Sequence, residues 1–327
     1  TSLTTDVNAT LVGTTTSTID TNGLDALWSG VLSGTGSLTK TGAGTLTLGN
    51  ANTYSGTTTV SGGTLALAPS ARLGLSSSLH VGAAGTFDMS AVTAPVPAVV
   101  LNGLSGEGLV NVGTNSLVVV DGSPQQFSGR MSLGGNGWDA SHGTFVMAGP
   151  STMTIDNAKI GRASGSGGSG EMIVGGGGAL LQTSGDTMIS ALVLGLSDVS
   201  AASANVGALN VTGGNLTLDT SLTLGSFGGT GTVTQSAGNV TVNYCGDIAH
   251  CAALSIGNQG GKGTYNISGG TLSFNGPGQM VIGRNEGATT AAETLVHVVG
   301  IGGLWHVSGS GIAGGDAILD AENHCVK

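Results

Sequence analysis

Apolar and hydroxyl-bearing residues alternate along most of this chain in short runs, each closed by glycine. From Gly36 to Leu67 it reads GSLTKTGAGTLTLGNANTYSGTTTVSGGTLAL. Leu46 and Leu48, then Val60, then Leu65 and Leu67 alternate with Thr, Ser and Ala, the period of a strand with one buried face. Gly42, Gly44, Gly56, Gly62 and Gly63 lie between these runs, where turns need a positive φ or a missing Cβ. A related unit returns later: VTGGNLTL from Val211, TQSAGNVTV from Thr234, NISGGTLSF from Asn266 and a degenerate WHVSGSG from Trp305. Leu-Gly or Ile-Gly ends at 195, 225, 257 and 283 are 30, 32 and 26 residues apart.

One such strand-turn unit has an apolar face too small to close a core, so units must stack on their neighbours. Stacked as coils, each strand lies about 4.8 Å above its predecessor. The spacing predicts about 20–25 residues per coil, with irregular insertions in the loops. A pair of packed β-sheets would need longer strands and more core aromatics than the 3% present. The chain is therefore read as all-β and a β-solenoid, a single elongated repeat domain. Residues 1–33 are an N-terminal cap or first coils, 34–164 and 165–310 two styles of repeat, and 311–327 a C-terminal cap or tail.

Composition narrows this further. Gly supplies 62 of 327 residues, and charged residues only 8%, against about 25% in ordinary soluble domains. Glu, Lys and Arg, the surface helix formers, are scarce, and Gly costs about 1 kcal/mol at each helical position. Disorder does not fit a chain that is 39% hydrophobic with regular Val, Leu and Ile, and no strict Gly-X-Y period points to collagen. The formal charge is −10, and the eight basic residues are scattered, so a nucleic-acid partner has no basic patch to bind. No apolar run reaches the 18 or so residues of a membrane span. A first residue Thr1, without Met, fits a chain trimmed of a signal peptide, and equally a piece cut from a longer chain.

Three cysteines are present. Cys245 and Cys251 enclose five residues in YCGDIAHC, and a disulfide between them suits an oxidising, extracytoplasmic compartment. Adding His250 as a metal ligand leaves a tetrahedral site one ligand short. Cys325 is left over, as a free thiol or a partner for an intermolecular bond.

The segment from Gly36 closely resembles the autotransporter-associated β-strand repeat of bacterial passenger regions. The resemblance is carried by Gly36–Lys40, Gly42–Leu46, Asn52–Gly56 and Val60–Leu65, about a tenth of the chain. It implies a right-handed parallel β-helix exported across the outer membrane, and fixes no activity, because passengers include adhesins, enzymes and inert stalks. The family's C-terminal translocator barrel of amphipathic strands has no counterpart here.

Catalytic signatures are thin. There is no Gly-x-Ser-x-Gly elbow, and the six histidines (His80, His142, His250, His297, His306, His324) are dispersed. A polysaccharide lyase or glycosidase on this fold needs carboxylates clustered on one outer face. The acidic residues are mostly singletons in turns; the densest group, Asp316, Asp320 and Glu322 with His324, reads as a solvated terminal cap. Gly134–Asp139 (GGNGWD) echoes a calcium-binding nonapeptide but stands alone, whereas such sites share each ion between consecutive copies. Trp28, Trp138 and Trp305 are sugar-stacking candidates, read in preference as end or loop anchors. GSGGSG at 165–170 reads as a flexible loop, and Gly175–Gly178 as a turn.

The expectation is a secreted or cell-surface structural or adhesive solenoid with no catalytic residues, cofactor or metal. Its partners would be a host or abiotic surface, neighbouring cells, or other copies of itself as a filament or sheath subunit. A glycan-cleaving or glycan-binding β-helix is the alternative.

Overall fold

A computed structural model describes residues 3–74, 77–93, 99–120, 125–133, 142–147, 152–155, 159–162, 169–174, 178–184, 186–196, 206–243, 252–258, 261–275, 279–284, 293–298, 304–306, 312–313 and 318–321. Among the described residues the regular structure is all β-strand, and strands pair with strands one coil away in parallel. Parallel pairing forbids tight hairpins, so the chain must travel around a core between partners. That is a parallel β-helix. Two compact units form: Thr1–Val146 with Lys159–Gly170, and Met147–Ala158 with Glu171–Lys327.

In the first unit each full coil has three sides. The first coil is β1 (Leu3–Thr5), β2 (Ala9–Leu11) and β3 (Thr16–Asp20); the second is β4 (Ala26–Trp28), β5 (Leu32–Gly34) and β6 (Ser37–Thr41). β7 (Thr45–Leu48), β8 (Thr58–Val60) and β9 (Gly63–Leu67) continue two of the sides. The third side shrinks there to an isolated bridge between Ala51 and Arg72. Leu3 pairs with Ala26, Ala26 with Leu46, Leu46 with Leu65 and Leu65 with Phe87. Leu46, Leu65, Phe87, Val110 and Met131 thus form one inward column, each at most 2% exposed. Each such side chain is worth about 1.5–3 kcal/mol of hydrophobic stabilisation relative to exposure.

Where adjacent coils do not meet strand to strand, polar side chains mend the ladder. Asn8 Oδ1 accepts the Val31 N–H at 2.8 Å, Asp25 Oδ1 the Thr45 N–H at 2.9 Å, and Ser37 Oγ the Thr57 N–H at 3.1 Å. Buried Asn52 spans three coils: its Oδ1 accepts from Leu32 N at 2.9 Å, and its Nδ2 donates to the Asn50 and Arg72 carbonyls at 3.0 and 2.9 Å. A buried backbone group left unpaired costs about 1–3 kcal/mol, a penalty that Asn52 averts at Leu32; the bonds from Asn8, Asp25 and Ser37 lie at the surface.

The second unit winds wider coils. Asn215–Ser226 is one long strand that turns two sides. Leu216 and Leu218 point inward before the bend, Leu222 and Leu224 after it, and the strand pairs with both Asn239–Asn243 and Ala252–Asn258. Leu194 pairs with Leu224, Leu224 with Ile256 and Ile256 with Ile282, so the 30-, 32- and 26-residue spacings of the Leu-Gly and Ile-Gly ends are coil circumferences. These exceed the expected 20–25, and the ladder absorbs register shifts between Ile189 and Ala191 and between Ala252 and Leu254.

One corner recurs in both units, where the short side turns into the long sheet. Gly63, Gly214, Gly238 and Gly270 occupy it with φ of 65°, 70°, 75° and 82°. A Cβ on Gly63 would collide with the carbonyl oxygens of Gly42 and Gly44 in the preceding coil; a Cβ on Gly62 would meet nothing closer than 3.9 Å. Gly63→Ala is therefore expected to destabilise the chain by about 2 kcal/mol or more, while Gly62→Ala changes stability by less than about 0.5 kcal/mol. Denaturant unfolding of the two single variants reads this, and equal midpoints would refute the corner assignment.

Candidate functional site

The regular surface lies on the outward phase of the strands. On the short side of the first unit, Thr18, Thr39, Thr59, His80 and Ser105 are in register on five successive coils. All are exposed or half-buried, and His80 Nδ1 shares a hydrogen bond with Ser105 Oγ at 3.0 Å. Thr16 with Ser37, and Asp20 with Thr41, flank the column. The second unit repeats the device with amides. Asn239 Nδ2 donates to Asn215 Oδ1 at 2.8 Å and Asn243 Nδ2 to Asp219 Oδ1 at 3.2 Å, with Thr217, Thr241 and Ser273 in register between them. Columns of this kind set hydroxyl and amide groups about 4.8 Å apart from coil to coil. They offer many weak, uncharged hydrogen-bonding positions on a stiff sheet.

Asp20, Asp25 and Asp88 each accept a hydrogen bond from a backbone N–H. Asp20 Oδ1 accepts the Asn22 N–H at 2.7 Å, and Asp25 bonds Thr45 as above. Asp88 Oδ1 accepts from Ser90 N at 2.9 Å, Ser90 Oγ at 2.7 Å and Asn111 Nδ2 at 3.1 Å. Among the described residues, no three His, Cys, Asp or Glu side chains stand close enough together to share a metal ion, and no helix is long and apolar enough to cross a membrane.

A second set of polar groups points inward, at the same corner as the glycines. Lys40 is wholly buried in the first unit, and its Nζ donates to the carbonyls of Thr41 at 2.8 Å, Gly42 at 2.8 Å and Gly62 at 3.1 Å. All three ammonium donors are used. Burial pushes the amine below the usual lysine range, and the Asp20 carboxylate pulls it part of the way back. Gln182 and Gln235 take the equivalent place in the second unit. Gln182 Nε2 donates to Ser184 O at 2.7 Å; Gln235 Nε2 donates to the Gly238 and Thr271 carbonyls, both at 3.0 Å. Tyr265 Oη donates to Gln235 Oε1 at 2.8 Å, and buried Tyr54 Oη pairs with Thr58 Oγ1 at 2.6 Å. Burial raises both phenols above their ordinary value; for Tyr54 the Thr58 bond works in the opposite direction. These residues carry a signal that reading for catalysis passes over: Lys40 falls in step with Val60 and Gln235 with Val211, on the inward phase where an apolar residue is expected.

Of the residues singled out from sequence, Trp28 lies in register with Leu48 on the inward phase, and its shielded Nε1 has no hydrogen-bond partner. The ring is half-buried there. Asp320 lies in the strand Ile318–Ala321, paired with His297, and Trp305 and His306 lie in Leu304–His306. Cys245, Cys251, His250, Cys325, Gly134–Asp139 with Trp138, Asp316, Glu322, His324 and residues 163–168 lie outside the described residues.

Residues 38–67 match the family model of the passenger-associated-transport-repeat. The match takes in β6 to β9, with Lys40, Asn52, Tyr54 and Gly63 inside it. The autotransporter passenger repeat is thus present in this chain, and its buried polar residues are the ones that hold one coil on the next. No curated protein and no solved structure matches the chain.

Two outcomes follow from the inward groups. Lys40→Met strands three corner carbonyls and is expected to cost about 2–3 kcal/mol, whereas Lys40→Gln, imitating Gln235, recovers at least half of that. Chemical denaturation of the pair reads the difference, and a harmless Lys40→Met would show that the carbonyls find other donors. Tyr54 and Tyr265 bind their protons more tightly folded than unfolded, so their contribution is complete below pH 10 and lost as pH rises above it. Stability should fall by about 1.4 kcal/mol per pH unit for each tyrosine there. Phenolate absorbance followed against pH should show these two rings ionising only as the chain unfolds.

Proposed function

We propose that the chain is a passenger segment exported across the outer membrane, with a structural and adhesive role at the cell surface and no catalytic chemistry. The passenger repeat at residues 38–67 supports export. The five-coil column from Thr18 to Ser105 supports adhesion. Each hydroxyl contributes little alone, but a rigid row engages a surface many times over, and linked weak contacts multiply. The scarcity of fixed charge suits this: such a sheet touches glycan, abiotic polymer or a neighbouring cell without first stripping ions from itself. Host or abiotic surfaces and neighbouring cells are the partners proposed.

The test is to display the chain on cells ahead of a translocator barrel and measure retention on glass, polymer and immobilised glycans. Thr18→Ala, Thr39→Ala and Thr59→Ala together are expected to lower retention about tenfold with little change in thermal stability, because all three hydroxyls lie outside the core. Retention no better than an empty display would remove the adhesive reading. Release of reducing or unsaturated sugars from polysaccharide would replace it with a glycan-cleaving enzyme.

Export into an oxidising compartment also favours a disulfide between Cys245 and Cys251, with Cys325 as a free or intermolecular thiol. Alkylation of the unreduced protein followed by mass spectrometry should label Cys325 alone. Labelling of all three cysteines would exclude the staple.

A further inference from the structure

Among the described residues with a positive φ, all but two are glycine. The exceptions, Asn22 and Phe227, make the same turn, one in each unit. Leu24 N donates to Thr21 O at 2.8 Å across Asn22 and Gly23, whose φ are 47° and 80°. Gly229 N donates to Ser226 O at 2.9 Å across Phe227 and Gly228, whose φ are 50° and 86°. Both follow the type I′ pattern, which Asn-Gly fits with little strain because a short amide tolerates the left-handed region. A phenyl ring does not. Nor is the ring core: Phe227 is 43% exposed, against 3% for Ser226 beside it, and a Cβ on Gly228 would meet nothing within 4 Å. Strain kept where the core does not require it points to a use for the side chain.

We propose that Phe227 is a stacking platform for a sugar ring of a neutral polysaccharide, with the outward hydroxyls of the strand that leaves the turn as its hydrogen-bonding partners. That strand, Thr230–Gln235, buries Val233 and Gln235 and turns Thr230, Thr232 and Thr234 outward. Thr264 and Asn266 lie in register with Thr232 and Thr234 on the next coil. A pyranose has an apolar face of C–H groups and a rim of hydroxyls. An aromatic ring beside a row of hydroxyls and amides answers both. Size decides against a protein partner. The ring, with Val206 44% exposed and in register with Thr230 on the preceding coil, falls far short of the roughly 800 Å² per partner of a stable protein interface. Charge decides against an anionic glycan, since the chain itself carries −10. The inference rests on the proposed export, which puts the site within reach of such polymers, and uses no residue of the Thr18-to-Ser105 column.

The purified chain is mixed with microcrystalline cellulose, chitin and starch granules, and the bound fraction is measured against protein concentration. The expected result is saturable binding to at least one of the three. Phe227→Asn copies the Asn22 turn and is expected to weaken that binding at least about tenfold. Its thermal unfolding midpoint should stay level or rise, because the strain is relieved. Phe227→Trp keeps an aromatic face and is expected to retain binding. Thr18→Ala, Thr39→Ala and Thr59→Ala together should leave polysaccharide binding unchanged, so this site and the adhesive column fail separately. A wild-type chain that binds none of the three polymers overturns the proposal. So does binding that Phe227→Asn leaves intact, or a midpoint that falls sharply in Phe227→Asn, which would make the ring part of the fold and no platform.

Discussion

Successive coils of this protein lie one strand spacing apart, about 4.8 Å, and their backbones approach one another most closely at the corners. That spacing leaves room for peptide groups and nothing more. Gly63, Gly238 and Gly270 turn the chain with positive φ directly above the carbonyls of the coil before, at places where a Cβ would overlap backbone atoms. The abundance of glycine follows from this. It is a tax on every turn of the stack.

Corner carbonyls crowded together need donors, and the interior provides them. Lys40 in the first unit and Gln182 and Gln235 in the second reach the same corner from the same inward phase. An ammonium and an amide are different chemistries, yet both present two or three N–H groups to a ring of backbone oxygens. A buried charge is tolerable at Lys40 because all of its donors are used and Asp20 is close by. Within the passenger repeat, then, the polar residues inside the coil carry the stacking.

This division explains which features are legible in the amino-acid sequence. Alternation of Leu46, Leu48, Leu65 and Leu67 with Thr and Ser identifies strands with one buried face, and all four leucines are buried. The Leu-Gly and Ile-Gly ends are legible as a repeat, and their uneven spacing as insertion in loops; the pairing of Leu194, Leu224, Ile256 and Ile282 bears out both. Buried Lys40 and Gln235 are only half legible: each stands two residues from an apolar neighbour, Leu38 or Val233, on the inward phase, but its residue type reads as surface until register with Val60 or Val211 fixes it inside. Trp28 likewise gives no sign of its inward position until register with Leu48 fixes it.

The sequence by itself determined the strand period, the glycine punctuation, the near absence of fixed charge and the passenger repeat at residues 38–67. Each of these is local, set by steric and hydrophobic preferences within a few residues. Tertiary structure decided which residues of different coils lie over one another: the Thr18-to-Ser105 column, the Asn215–Asn239 pair and the triple grip of Lys40. Those depend on coil circumference, which varies from turn to turn. No local pattern records a sum over twenty to thirty intervening residues. Only the closed turn does.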